Sequence, residues 1–345
     1  MYTYAMMLAL IVSAQPKADD WAAQESAHLK NIRQITTGFL RAGEGYFAPD
    51  GKKIIYQAEE KGTGNPFYQI FTQDLETGRF QRISPGAGRT TCAFFRPDGK
   101  RLIFASSHTD PEVKEHQKAE YVQREEDTKK GVRRRYSWDF DKYMKIYEAD
   151  LDGENLKCLT PDAKAYCAEG SYSADGTQIV YSSGNAGNVQ LYIMNADGTN
   201  SRQLTNVPNC YNGGPFFSPD AKKVIFRADR KEKDRLQLYV INADGTGEKA
   251  LTTNEKWVYW APYWYKDGKH IIYTAADHSD ETKRPNYDLY WMNIETGKTT
   301  RITHAPGQDV LPVFSPDFKK LMWTTNRDGR SPTQLFLADF IPPTD

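Results

Sequence analysis

Phe95-Arg-Pro-Asp98-Gly-Lys100, followed by the apolar run Leu102-Ile-Phe-Ala105, reads as a tight turn leading into a β-strand. Asp-Gly between two apolar stretches is a hairpin signal, because glycine accepts the positive φ that such turns need. The same pattern recurs at Phe47–Lys52, Tyr172–Thr177, Phe217–Lys222, Trp264–Lys269 and Phe314–Lys319: an aromatic, two residues, Asp, usually Gly, then a polar residue. Asp50, Asp98, Asp175, Asp220, Asp267 and Asp317 are therefore 48, 77, 45, 47 and 50 residues apart. The four shorter steps approach the length of a four-stranded propeller blade, roughly 40–50 residues. Ala221 and Phe318 stand where the other copies have Gly, so those two turns are expected to be of another type.

Each copy continues in the same way. A β-rich strand follows the turn, as in Ile179–Ser182 or Val224–Arg227, and then a polar loop and a third strand such as Gln190–Met194 or Gln237–Ile241. A second turn leads to a fourth strand ending in an apolar residue and Thr or Ser: Ile83-Ser84, Leu159-Thr160, Leu204-Thr205, Leu251-Thr252, Ile302-Thr303. The sixth copy runs out after its third strand, Gln334–Ala338. The matching fourth strand, Ile32-Arg-Gln-Ile-Thr36, precedes the first copy. Pairing the two would close a ring and remove an exposed sheet edge. The expected fold is all-β: a six-bladed propeller over residues 31–340, closed by an N-terminal strand, with a helical insertion at 109–142 in blade 2.

The chain of 345 residues balances 45 Lys+Arg against 45 Asp+Glu, which gives no overall drive toward nucleic acid or an anionic membrane. Aromatics at 13% exclude a disordered chain. Ala5–Ala14 is the longest apolar run, about half the roughly 20 residues that a membrane span requires, and Val12-Ser13-Ala14 resembles a cleavage site. Residues 1–14 are therefore expected to be a signal peptide, and the mature chain to be periplasmic or secreted with no membrane span. Cys92, Cys158, Cys167 and Cys210 have no zinc spacing; a Cys158–Cys167 disulfide and four free thiols both remain open. No motif calls for a cofactor.

Leu191-Tyr-Ile-Met-Asn-Ala-Asp-Gly-Thr199 and Leu238-Tyr-Val-Ile-Asn-Ala-Asp-Gly-Thr246, each followed by a Leu-Thr strand, resemble the TolB-type propeller repeat. Gly213-Gly-Pro-Phe-Phe-Ser-Pro-Asp220 and Leu335-Phe-Leu-Ala-Asp339 resemble exported TolB-like proteins more closely. For that group the resemblance implies export and a propeller without a settled activity. TolB proteins add an N-terminal α/β domain for which this chain is expected to have no room, so their partners are not carried over. Propellers of the prolyl oligopeptidase group precede a hydrolase domain, but no G-x-S-x-G elbow occurs here.

In a propeller, the second-to-third strand loops and the blade links share the face at the channel mouth, and the Asp turns lie opposite. Turn carboxylates are thus expected to be structural, as is Asp150-Leu-Asp-Gly153, which lacks the remaining ligands of a calcium loop. Trp257, Tyr259 and Trp260 are expected in one blade link, where they would either stack on a sugar or peptide group or pack between blades. Arg227 is expected on the same face. His278 and His304, with His108 elsewhere on that face, are weak metal candidates that topology alone supports. Within the insertion, Pro111–Lys130 reads as an exposed helix. Arg133, Arg134 and Arg135 beside Tyr136 and Trp138 would bind a carboxylate or acidic glycan, or else pair with Glu125, Glu126 and Asp127. Two functions follow: a non-catalytic binding or scaffold module for a protein or glycan, or a metal-assisted polysaccharide lyase or hydrolase at the channel mouth.

Overall fold

The computed structural model describes residues 21–132, 140–327 and 332–344. Its strands form six antiparallel four-stranded sheets. Five take their strands consecutively from the chain; for example, blade 1 is Arg41–Phe47, Lys53–Glu59, Gln69–Asp74 and Phe80–Arg82. The sixth combines Asp309–Phe314, Lys320–Thr325 and Gln334–Phe340 with Leu29–Gln34 from the other end of the sequence. The inner strand of every blade packs against the inner strands of both neighbours, including the sixth against the first, so the ring is closed. No helix among the described residues is long and apolar enough to cross a membrane.

Six equivalent hydroxyls explain the Leu-Thr ending of each copy. Just beyond the short fourth strand, the side chains of Ser84, Thr160, Thr205, Thr252 and Thr303 accept the N–H of Ile70, Ile146, Leu191, Leu238 and Leu289 on the third strand, at 2.8–3.1 Å. Thr36 does the same for Leu335 at 2.9 Å. The apolar residue before each hydroxyl donates its own N–H to that strand, as Leu204 does to Leu191 and Ile35 to Leu335. The borrowed strand thus reproduces the bonding of a blade built from continuous chain.

The Asp turns are alike in all six blades, which corrects the expectation for Ala221 and Phe318. Both adopt the left-handed conformation of the glycines they replace, with φ of 57° and 59° against 69° at Gly51 and Gly99. They close the same hydrogen bond, Ala221 N–H to Ser218 and Phe318 N–H to Ser315, each at 2.8 Å. The penalty of roughly 1–2 kcal/mol for a side chain in this region is therefore accepted at both turns. Ser218 and Ser315 help to hold them, donating to Asp220 and Asp317 at 2.6 Å.

Among the described residues, two helices lie outside the blades. Helix α1 (Trp21–Glu25) docks at the seam of blades 5 and 6: buried Glu25 accepts the N–H groups of His304 (2.7 Å) and Ala305 (3.1 Å) and pairs with Arg327. Helix α2 (Val113–Lys130) forms the insertion and buries none of its residues. It ends at Gly131, whose φ of 63° caps the last turn. Polar contacts hold it. Arg124 reaches Glu59 (2.6 Å) and the Pro66 carbonyl (2.7 Å), and Gln117 bridges the Gly64 carbonyl (3.0 Å) and the Gly88 N–H (3.1 Å). Glu59 also takes Arg41 at 2.8 Å, so one buried carboxyl faces two guanidinium groups.

Candidate functional site at the channel mouth

Every inner strand carries a bulge, and in each the residue six before the turn Asp has positive φ: Glu44, Cys92, Glu169, Gly214, Ala261 and Leu311, between 47° and 58°. These six form a ring around the channel. Blades 1 to 3 contribute polar side chains and blades 4 to 6 contribute Gly, Ala and Leu. Two residues further along the strands, away from the loop face, lie Tyr46, Phe94, Phe216 and Tyr263. Tyr46 of blade 1 meets Phe216 of the opposite blade 4 at a centroid distance of 5.8 Å. Tyr46 also meets Phe94 (5.1 Å) and Tyr263 (6.4 Å), and Phe216 meets Tyr263 at 5.1 Å. Aromatic rings thus close the channel below the polar ring. On the loop-face side of these rings Glu44 remains partly exposed, so the ring of side chains lines a cup that opens on that face.

Glu169 is the most heavily bonded wall residue. It accepts Tyr166 OH (3.1 Å), Tyr211 OH (2.8 Å), the Gly214 N–H (2.5 Å) and Arg227 Nη2 (2.9 Å). The same Arg227 nitrogen lies 2.8 Å from Tyr211 OH. Glycine is required beside this network. A Cβ on Gly214 would come within 2.2 Å of Arg227 Nη1, and one on Gly213 within 1.8 Å of Tyr211 OH. The Gly213-Gly214 pair therefore makes room for the arginine and tyrosine that hold Glu169.

Glu44 faces the same space with fewer partners. Thr91 Oγ1 donates at 3.4 Å and the Cys92 thiol also contacts it. Burial pushes its carboxyl up to about 7, with the Cys92 and Thr91 contacts and Arg227 opposing and Glu169 adding. The Cys92 thiol is pushed well above its ordinary range by burial and then by Glu44 and Glu169, so it is a protonated thiol and not a thiolate nucleophile. Burial alone would weaken the Arg227 charge. Tyr211, Glu169, Cys92 and Glu44 outweigh it, and the guanidinium stays charged.

Sequence-derived candidates divide sharply. Trp257, Tyr259 and Trp260 lie on the inner strand of blade 5 itself, Trp257–Trp264, and not in a link. The strand extends further toward the loop face than expected, and alternation then sends neighbours opposite ways. Trp257 stacks on Tyr259 (6.1 Å) and meets Tyr290, so these two pack within the blade. Trp260 turns toward the channel, 5.9 Å from Arg227 and 6.2 Å from Tyr287. His278 bonds Tyr287 OH at 2.8 Å, and His108 bonds Ser106 at 2.9 Å. The His304 backbone holds Glu25, and burial lowers its imidazole pKa. Among the described residues, no group of three or more His, Cys, Asp or Glu is placed to hold a metal. Cys92, Cys158, Cys167 and Cys210 are free thiols. Arg133, Arg134, Arg135 and Trp138 lie outside the described residues, as does the 1–14 segment. Phe140, the first described residue after the arginines, packs on Tyr166 (5.4 Å) and Tyr211 (5.9 Å), beside the Glu169 network.

The family described as the TolB beta propeller domain matches residues 136–284, which include Glu169, Gly213-Gly214, Arg227 and Trp260. Over these residues the chain is similar to TolB-type propellers. It is 29% identical over 204 residues to the Tol-Pal system protein TolB of Francisella tularensis, covering 58% of this chain and 45% of that protein. It is 26% identical over 230 residues to dipeptidyl-peptidase 5 of Porphyromonas endodontalis, covering 53% of this chain and 33% of that one. The chain thus spans less than half the length of these curated relatives. The solved structure of a putative TolB from Agrobacterium tumefaciens superimposes with a TM-score of 0.59 at 16% identity, over 92% of this chain and 98% of the other. That likeness concerns the fold.

Glu44, Cys92 and Glu169 as a set escape a search for motifs. Their signal is a column of the repeat. Counted six back from each turn Asp, the aligned residues differ in every blade but one pair, whereas the turn columns hardly vary. A column whose conformation repeats while its chemistry does not is where a recognition surface is to be sought.

Proposed function

We propose that this TolB-like propeller is an exported, non-catalytic binding module whose cup receives one projecting group of a protein ligand. The observation that carries the reading is the blind cup. Rings from opposite blades meet across the axis, so a ligand enters from the loop face alone and ends against a wall of non-repeating residues. Trp260 and Tyr211 supply aromatic surface at its side, suited to a peptide segment. Phe140 adjoins the same network, which makes Arg133, Arg134, Arg135 and Trp138 candidate rim contacts. Of the candidates, Trp257 and Tyr259 are the least suited, because they pack on neighbouring rings.

A catalytic reading has weaker support. The Cys92 thiol is protonated, the Glu169 carboxyl and Arg227 are committed to each other, and the three histidines serve separate local contacts. The test is selection of binders from a random peptide library, followed by calorimetric titration. Trp260→Ala and the triple alanine variant at Arg133, Arg134 and Arg135 should each weaken selected peptides at least tenfold. Asp98→Asn, on the opposite face, should not. Peptides indifferent to Trp260→Ala, or a library that yields none while a glycan array does, would overturn the protein-ligand reading.

A further inference from the structure

We infer that the group received by the cup is a primary ammonium, such as a lysine side chain, held by Glu44; this rests on the binding reading above. The argument starts from the contrast between two carboxyl groups on one ring. Glu169 has four donor groups, one of them a guanidinium. Glu44 has a hydroxyl at 3.4 Å and a thiol. Arg227 is the one cation among these wall groups, and its Nη2 is already engaged by Glu169 and Tyr211. The wall therefore holds two carboxyl groups against one guanidinium.

Shape agrees with charge. The half of the ring formed by Gly214, Ala261 and Leu311 presents no side-chain donor to Glu44, and the room beside Gly214 is taken by Arg227, whose Nη2 is engaged by Glu169 and Tyr211. An entering anion would meet two carboxyl groups. A hydroxyl would leave the charge of Glu44 uncompensated in a poorly solvated cup. An ammonium is compact, carries three donors and matches the single outstanding acceptor, and the aromatic floor accepts its aliphatic stem. The other groups facing Glu44 are Cys92 and Thr91 of blade 2, Glu169 of blade 3, Tyr46 of its own strand, Tyr68 of the same blade and Arg227 of blade 4. Of these, Cys92, Tyr46 and Arg227 are all held in their protonated forms at neutral pH.

The experiment titrates the full-length protein with acetylated, amidated Gly-Gly-X-Gly-Gly peptides in which X is lysine, norleucine or glutamate. The lysine peptide should bind at least tenfold more tightly than norleucine, and glutamate should not bind. Glu44→Gln should remove the lysine preference while the protein melts no lower than wild type. A readout independent of any variant is proton release. Calorimetry at pH 7 in two buffers of different ionisation enthalpy should show about half a proton released per lysine peptide, because Glu44 titrates near 7 and the bound cation requires it ionised. Affinity should fall as pH drops from 8 to 6. Equal binding of lysine and norleucine, no binding of lysine, or no proton release would each overturn the inference. If library-selected peptides still depend on Trp260 in that event, the binding module stands and only the ammonium assignment fails.

Discussion

Gly214→Ala tests whether the Gly-Gly pair exists to admit Arg227. Two penalties meet at this residue. Its φ of +56° costs an L-residue roughly 1–2 kcal/mol. The new Cβ would also lie 2.2 Å from Arg227 Nη1. A long side chain usually retreats from such a clash at little cost, but this guanidinium is tied to Glu169 at 2.9 Å and Tyr211 at 2.8 Å. Retreat breaks a buried pair, whose loss costs roughly 3–5 kcal/mol when one partner is left behind, and part of that is recovered if water enters the cup. The expected destabilisation is about 3–5 kcal/mol. Gly99→Ala is the matched control. It has φ of +69° and open space around its Cβ, and the homologous turn already carries Ala221, so it should cost about 1 kcal/mol. Thermal melts followed by circular dichroism should separate the two variants by at least about 4 °C, given roughly 2–4 °C per kcal/mol for a large domain. Equal melting temperatures would refute the argument, since only backbone strain would then be at work.

Thr36→Val should remove the hydroxyl that accepts Leu335 N–H and donates to Gln334 at 2.8 Å, costing about 1–3 kcal/mol. Thr205→Val, its counterpart in blade 3, should cost the same within error; a silent Thr36→Val would mean that the borrowed strand does not close the ring as described. Glu44→Gln should stabilise the protein in a pH-dependent way. The folded carboxyl titrates at about 7 against an ordinary 4.5, so its burden on the fold is absent below about pH 4.5, grows between the two values and is complete above 7. The variant's unfolding free energy should match that of wild type at pH 4.5 and exceed it at pH 8, by about 1–2 kcal/mol after allowance for water in the cup. Arg124→Ala should leave global unfolding almost unchanged, yet release α2 from Glu59 and Pro66. Limited proteolysis within residues 113–132 should then accelerate several-fold, and unchanged protection would show that other contacts hold the helix.

The architecture was legible because its determinants are local and repeated six times. The Asp turn, the apolar strand and the Leu-Thr ending each act over a few residues, and the displaced Ile32–Thr36 segment could be paired with its blade by pattern alone. Ala221 and Phe318 depart from the residue-type rule because the surrounding blade holds the turn in one conformation, and tertiary context overrides the isolated preference of the residue for negative φ. The cup was less legible, since its walls come from residues more than 100 positions apart, and no spacing rule joins Glu44 to Glu169 or Arg227. Trp257 and Trp260 make the point within four residues. Both are tryptophans in one aromatic run, yet strand alternation sends one into the blade and the other beside Arg227. The useful test for such a fold is therefore agreement between columns. Where a repeat keeps a costly backbone conformation in all six copies but changes the side chain, its framework has been held constant while the side chains displayed around the channel vary. Glu44 fits that description on energetic grounds too: a carboxyl raised to about 7 weakens the fold at neutral pH, and a partner cation would relieve that burden.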